Sequence, residues 1–392
     1  LDLSRVLAGP WSMQNFGDMG ADILKIERPG FGDDSRHWGP PWLKDADGKP
    51  TRESAYFLST NRNKRSVAID ITVPEGQDLI RSLVANCDIF IENFKFGSMA
   101  RFGLDYESIR QVRPDIIYLS LTGFGQEGPY ADRPGYDYLF QGMGGLMSVT
   151  GERDELPGGG PQRIGVPLVD LFTGMYAQVA MLAALNHRNQ TGEGQHIDVS
   201  MTDGMFPHHV VSGIRALVGE EDPCFESELL NGASIYGFYE TSDGKYLACG
   251  VLEPQFLTAL LQALGLGDYI PRLMEPGISD ELRMKVADVL RSRTRDSWME
   301  VFSRIDACVD PVLSFSEAVR SEHAQARGIV VNVPGPDGGV IPQIGLPICF
   351  SGYRPEYRWA GTPLGSHTDE VLHSLNIDDD EIQALRSSGI IL

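Results

Sequence analysis

The sequence predicts an α/β protein: a large domain on a parallel, doubly wound sheet, with a smaller α+β unit further along the chain. Three observations predict it. Short β-branched runs alternate with helical stretches through the first 190 residues. The connections between them are short, as parallel strand-helix-strand units require. The 392 residues suffice for two domains, or for one large α/β domain with an insertion.

In chain order, Leu1-Asp2-Leu3 already has a strand-like pattern, and the missing Met suggests that a short N-terminal piece precedes it. Ala21–Ile26, Ser66–Asp70, Cys87–Ile91 and Ile116–Ser120 read as strands. Between the middle pair, Pro74–Asn86 carries Leu79, Ile80, Leu83 and Val84 at helical spacing. Ligands of such sheets sit at the carboxyl ends of the strands. Leu171–Asn189 is a long apolar helix, and Thr191–Ser200 is a turn and another strand. Over 205–230 the pattern loosens, and Glu220, Glu221 and Asp222 mark a surface connection. A compact second unit follows over 235–310. It opens with the hairpin Gly237–Leu247, turned by Asp243-Gly244, and continues in helices. The tail, 320–392, is rich in Pro and Gly and ends in a polar helix.

Apolar residues at 42% and charged residues at 22% are ordinary for a globular protein. The formal charge of −21 repels phosphate backbones and argues against nucleic acid as a partner. An anionic ligand would need a local convergence of Arg and Lys. The five cysteines (Cys87, Cys224, Cys249, Cys308, Cys349) show no CxxC spacing, and they read as reduced thiols of a cytoplasmic protein. No uninterrupted apolar run reaches the roughly 18–20 residues of a membrane span, and no signal peptide is visible.

Gly123-Phe124-Gly125-Gln126-Glu127-Gly128 matches GxGxxG after a strand, but Pro129, Pro134 and Gly135 oppose the helix that a dinucleotide site needs. It reads as a glycine-rich loop near a ligand. Gly158-Gly159-Gly160-Pro161 reads as a flexible linker. The adjacent His208 and His209 point to different faces, so no metal site is expected. Neither a GxSxG elbow nor a Walker lysine is present. Asp170 stands out because Gly165–Gly174 is otherwise apolar, so its carboxylate must be paired, hydrogen-bonded or functional. A helix N-cap and a catalytic group are equally good readings. A helix N-terminus would serve both roles, because it stabilises anions. Arg28, at a strand's carboxyl end, and Arg101 are candidate phosphate ligands, although a solvated charge is the plainer reading of each.

Several stretches together resemble the class III CoA-transferases, the family that includes formyl-CoA transferase, carnitine CoA-transferase and α-methylacyl-CoA racemase. They are Leu7-Ala8-Gly9-Pro10, Gly20–Gly30, Asn61–Ser66, Glu92-Asn93-Phe94, Gly123–Gln126, Gly135-Tyr136-Asp137, Val169-Asp170, Thr191–Gln195 and Leu364–Thr368. Each is weak alone, and in order they span nearly the whole chain.

The resemblance implies a Rossmann-like CoA-binding large domain over 1–200 and 325–392, a linker over 201–224 and a small domain over 225–320. Two such chains would interlock as a homodimer. It implies CoA contacts at Val6, Leu7, Ala8, Arg28, Ile69, Asn93, Phe94, Arg101 and Tyr136. Thr72 and Lys95 depart from formyl-CoA transferase, which has lysine and glycine there. The nucleophile falls on Asp170, forming a mixed anhydride and an aspartyl-CoA thioester. Asp137 and Glu253 are implied near the substrate. CoA and acyl-CoA are substrates, with a carboxylic acid as co-substrate. No permanently bound cofactor, metal, nucleic acid or membrane is expected.

Racemases of the family pair the aspartate with a histidine, where this chain has Tyr136. Yet Gly250–Phe256 and Asp306–Val312 resemble racemase stretches. Abstraction of an α-proton needs a base titrating near neutrality, which histidine is and tyrosine ordinarily is not. The transferase is therefore the main expectation. A racemase or epimerase, a non-catalytic CoA-binding protein and a lyase are the alternatives. The small domain lacks the glycine-run loop of formyl-CoA transferase, which argues against oxalate-type acids. Gly32–Pro41 is similar to dicarboxylate-using members, which points to acids such as succinate.

Overall fold

A computed structural model describes the whole chain except residues 45, 46, 155, 156, 220 and 337. It packs as two compact units. The first comprises Leu1–Gly144, Val166–Pro207 and Gln325–Leu392, and the second Gly145–Gly165 and His208–Ala324.

The first unit is built on parallel strands β1 (Ile23–Glu27), β2 (Lys64–Ala68), β3 (Ile89–Glu92), β4 (Ile117–Thr122) and β5 (Gln195–Ser200). β1 pairs with β2, and β3, β4 and β5 pair in that order. The two halves are joined by Leu1–Leu3. Asp2 bridges both Lys25 of β1 and Ile91 of β3, and Leu3 donates its N–H to Ile91 at 2.9 Å. The spatial order is thus β2, β1, Leu1–Leu3, β3, β4, β5. The winding reverses between Leu1–Leu3 and β3, so the loops leaving their carboxyl ends diverge and open a crevice.

Side chains alternate across the strands. Ile91, Ile117, Leu119 and Leu121 face α1 (Ala8–Asp18) and the long helix Leu168–Thr191. Phe90, Tyr118, Val67 and Ile69 join a core with α2 (Pro74–Val84), α3 (Tyr106–Val112) and the tail helices Thr368–Ser374 and Asp379–Ser387. Each fully buried aliphatic or Phe side chain there contributes about 1.5–3 kcal/mol. The four strands expected between residues 21 and 120 form within two or three residues of their predicted bounds. The glycine-rich loop 123–128 contains no helix, and Gly125 and Gly128 take the left-handed φ of +83° and +95° that glycine tolerates.

α4 spans Asp137–Met143, and α5 spans Leu168–Thr191. By length and composition α5 is apolar enough to cross a membrane. An uninterrupted-run test misses it because Asp170 and scattered polar residues break the run. In the fold one side of it packs on the sheet through Val169, Ala177, Met181 and Ala184.

In the second unit β6 (Gly237–Glu240), β7 (Tyr246–Cys249) and β8 (Val309–Val312) form an antiparallel sheet. Helices Pro254–Ala263, Ile278–Leu290 and Arg295–Phe302 bury Leu260, Val286 and Trp298 with Leu247. The hairpin expected at Asp243-Gly244 is β6–β7, with Gly244 at φ +69°. Two expectations need correction. Gly160-Pro161 is not a free linker, because it pairs antiparallel with Gly151-Glu152. The loosened stretch 205–230 contains the short helix Gly213–Leu217 and two 3₁₀ turns. Of its acidic run, Glu221 and Asp222 are exposed, and Glu220 lies outside the described residues.

Candidate active site

Asp170 is not the N-cap of α5. Pro167 holds that position, and Asp170 is the third helical residue. Pro offers no side-chain acceptor, so the orphan N–H groups of the first turn need another one. Asp137, at the head of α4, supplies it: its Oδ2 accepts the N–H groups of Val169 at 2.6 Å and Asp170 at 3.2 Å. Its Oδ1 accepts Gln141 Nε2 at 2.6 Å. Asp137 is therefore a cap supplied from 32 residues away, a role that no local pattern predicts. The Asp170 side chain is left free of capping.

That side chain points to α1. The backbone N–H of Ala8, the first residue of α1, favours its charged form. The close crossing of the helices sets this contact. A Cβ on Gly174, one turn beyond Asp170, would lie 2.8 Å from the Ala8 carbonyl oxygen and 3.0 Å from the Trp11 ring. α1 has no side-chain cap and no acidic residue in its first turn, so Asp170 is the anion at its positive end. Burial, then the neighbouring Asp137 carboxylate, push the half-buried Asp170 carboxyl up to about 7, and the Ala8 N–H only partly opposes them. Among the described residues, no Lys or Arg pairs with it. Burial, then the Asp170, Asp33 and Asp137 carboxylates, push the Tyr56 hydroxyl up to about 12. Tyr56 thus keeps its proton at neutral pH, and its ring meets Trp38 edge-on at 5.4 Å.

Asp170 opens into a cleft of about 510 Å³. Val6, Leu7, Ala8, Asn93, Phe94, Tyr136 and Asp137 line it. A second cavity of about 240 Å³ is lined by Arg28, Ile69, Thr72 and Ser98. Phe94, Arg5 and Asp34 line both. The crevice loops are clipped together. Asn93 accepts the Arg5 N–H at 2.8 Å and returns an amide N–H to the Arg5 carbonyl at 2.8 Å. Glu92 accepts the Phe94 N–H at 2.8 Å. Val6 takes φ +73°, a strained conformation for a β-branched residue, and its N–H meets the buried Asp33 carboxylate at 3.3 Å.

Three expected site residues lie outside the lining of the Asp170 cleft, although Arg28 lines the second cavity. Arg101 lines neither cavity and donates to Ser98 Oγ at 3.1 Å. Arg28 is exposed and lies over the Phe31 ring at 4.1 Å. Glu253 is the exposed N-cap of Pro254–Ala263, in the second unit. Sequence reasoning did not single out Arg5, Trp38, Tyr56 or Arg133. Arg133 carried one signal, its place two residues before Gly135-Tyr136-Asp137. Trp38 lay in the Gly32–Pro41 stretch noted for its likeness to dicarboxylate-using members, and Arg5 and Tyr56 carried no signal.

The site can offer a carboxylate nucleophile, a helix N-terminus facing the same point, and cations in an otherwise acidic protein. The model of CoA-transferase family III matches residues 1–368. The succinate–glutarate CoA-transferase of Agrobacterium fabrum is 39% identical over 96% of this chain and 94% of its own length. The human α-methylacyl-CoA racemase is 30% identical over the whole chain and 96% of its own length. The crystal structure of a CaiB/BaiF family protein from Brucella suis superposes with a TM-score of 0.82 at 34% identity, covering 95% of this chain and 97% of that one. The chain belongs to CoA-transferase family III and is an enzyme that moves CoA between an acyl-CoA thioester and a carboxylic acid.

Proposed function

We propose that this member of CoA-transferase family III works through Asp170 as its covalent nucleophile and takes dicarboxylic acids as substrates. The observation that carries the reading is Asp170 itself: a half-buried carboxylate without a cation, at the head of one helix and against the N-terminus of another. In the reaction, an Asp170 oxygen attacks the thioester carbonyl and the CoA thiolate leaves, forming a mixed anhydride. The thiolate then attacks the aspartyl carbonyl, and the donor acid departs with the bridging oxygen. The resulting aspartyl-CoA thioester meets the acceptor carboxylate, and the steps reverse. Each half splits a difficult exchange into easier displacements. The α1 N-terminus supplies N–H groups for the developing oxyanion.

CoA lies along Val6, Leu7, Ala8, Asn93, Phe94 and Tyr136, and its nucleotide end lies in the cavity of Arg28 and Ile69, with Arg101 at the margin. The dicarboxylate reading rests on the cations of the cleft, on Asp34 and Trp38 from the Gly32–Pro41 stretch in its wall, and on likeness to the Agrobacterium enzyme. The first unit is the Rossmann-like CoA-binding domain, the second the small domain, and two chains interlock as a cytoplasmic homodimer. The outward stripe Met175, Val179 and Leu182 of α5, left exposed in the single chain, supports a partner there. No resident cofactor takes part.

The test is chemical trapping. Protein incubated with an acyl-CoA and quenched with hydroxylamine should carry a hydroxamate on Asp170, mapped by peptide mass spectrometry. An unmodified Asp170 in a sample that turns over the same donor would overturn the reading.

A further inference from the structure

Three cationic side chains line the cleft that holds Asp170: Arg5, Lys95 and Arg133. They are not equivalent. Arg5 is paired with Asp34 at 3.1 Å and covers the Phe94 ring at 4.9 Å. Lys95 stands on the loop that leads through Phe94 and Ser98 to the second cavity, the nucleotide side of the proposed CoA path. Arg133 lines the same cleft four residues before the Asp137 that caps the helix of Asp170.

Arg133 is held but not neutralised. Its guanidinium carbon lies 4.5 Å from the Tyr130 ring centroid and 5.5 Å from that of Phe124. Its own N–H closes a turn on the Tyr130 carbonyl at 2.9 Å. Phe124 in turn meets Phe140 edge-on at 5.3 Å. The loop lies close on Phe140: a Cβ on Gly135 would fall 2.3 Å from that ring and one on Gly123 2.6 Å from it, so only glycine fits at either position. Among the described residues no carboxylate lies within ion-pair distance of Arg133. An exposed guanidinium fork that rests on aromatic rings and has no ion-pair partner among the described residues fits a planar carboxylate, which it can bind through two parallel hydrogen bonds.

We infer that Arg133 binds the distal carboxylate of the dicarboxylate substrate and so sets which acid the enzyme accepts. This rests on the dicarboxylate reading and deepens it. While one carboxylate reacts at Asp170, the other is fixed on Arg133, and a monocarboxylate of the same length has nothing to offer there.

The test uses the full-length enzyme, one acyl-CoA donor throughout, and two five-carbon acceptors, glutarate and pentanoate. The readout is the ratio of their kcat/KM values, in wild type, Arg133→Leu and Arg133→Lys. The wild type should favour glutarate. Arg133→Leu should reduce the ratio by about tenfold or more, mainly through the glutarate KM, as expected for loss of a charge-assisted pair. Arg133→Lys should recover part of it. If Arg133→Leu lowers both acids equally, the residue serves the fold or CoA, and the assignment fails while the dicarboxylate reading stands. A wild type that uses pentanoate but not glutarate would overturn the reading and the assignment together.

Discussion

Two groups of buried carboxylates in the first unit behave in opposite ways. Beneath the crevice, Asp2 pairs with Lys64 at 2.9 Å, Asp33 with Lys25 at 2.8 Å, and Glu27 with Arg36 at 2.7 Å. Burial alone would raise all three carboxyls, but their cations and hydrogen bonds outweigh it and hold them below the ordinary carboxylate range. At the crevice, Asp170 and Glu92 have only N–H or hydroxyl donors, and burial pushes both up to about 7. The first group is a framework that fixes Leu1–Leu3 and the loops after it. The second is charge held without compensation, which is costly in a fold and useful at a reactive site.

The sharpest way to break this comparison is to remove one charge from each group. Lys25→Met strands the Asp33 carboxylate without its cation and should cost about 3–5 kcal/mol in urea denaturation. Asp170→Asn should cost nothing at pH 8. The folded state raises this carboxyl above its unfolded value, so its ionisation subtracts stability as pH rises through the window from about 4 to 7, and the amide removes that penalty. Equal losses in the two variants would erase the distinction.

A smaller effect sharpens it further. The nucleophile must be ionised, so kcat/KM for the acyl-CoA donor should rise about tenfold per pH unit on the acid side and level off above a midpoint near 7. A profile flat from pH 5 to 8 would mean that Asp170 ionises like an ordinary carboxyl.

Much of the sheet was legible because its strands are dense in Ile, Val and Phe and flanked by turn residues. Asp170 was legible for the same reason in reverse, as a lone charge in an apolar run. α1 was not. Ala8–Asp18 contains Gly9, Ser12, Asn15 and Gly17, poor helix formers, and lacks a capping side chain. Packing against α5 and the sheet makes it helical. Nor was the capping by Asp137 legible, because it joins elements 32 residues apart. Tyr56 and Trp38 reach the site only through the tertiary fold, and spacing carries no trace of that. Asn93 was found by resemblance, and its side chain proves to hold Arg5 in place.

The covalent role of Asp170 can be followed by its oxygen atoms. With an ¹⁸O-labelled acceptor acid, the bridging oxygen of the second anhydride remains on the aspartate when the thiolate takes the acyl group. The peptide containing Asp170 should therefore gain ¹⁸O during turnover, and only when acyl-CoA donor and labelled acid are both present. Continued transfer with no label on Asp170 would contradict the account, because the acids would then exchange CoA without passing through the protein.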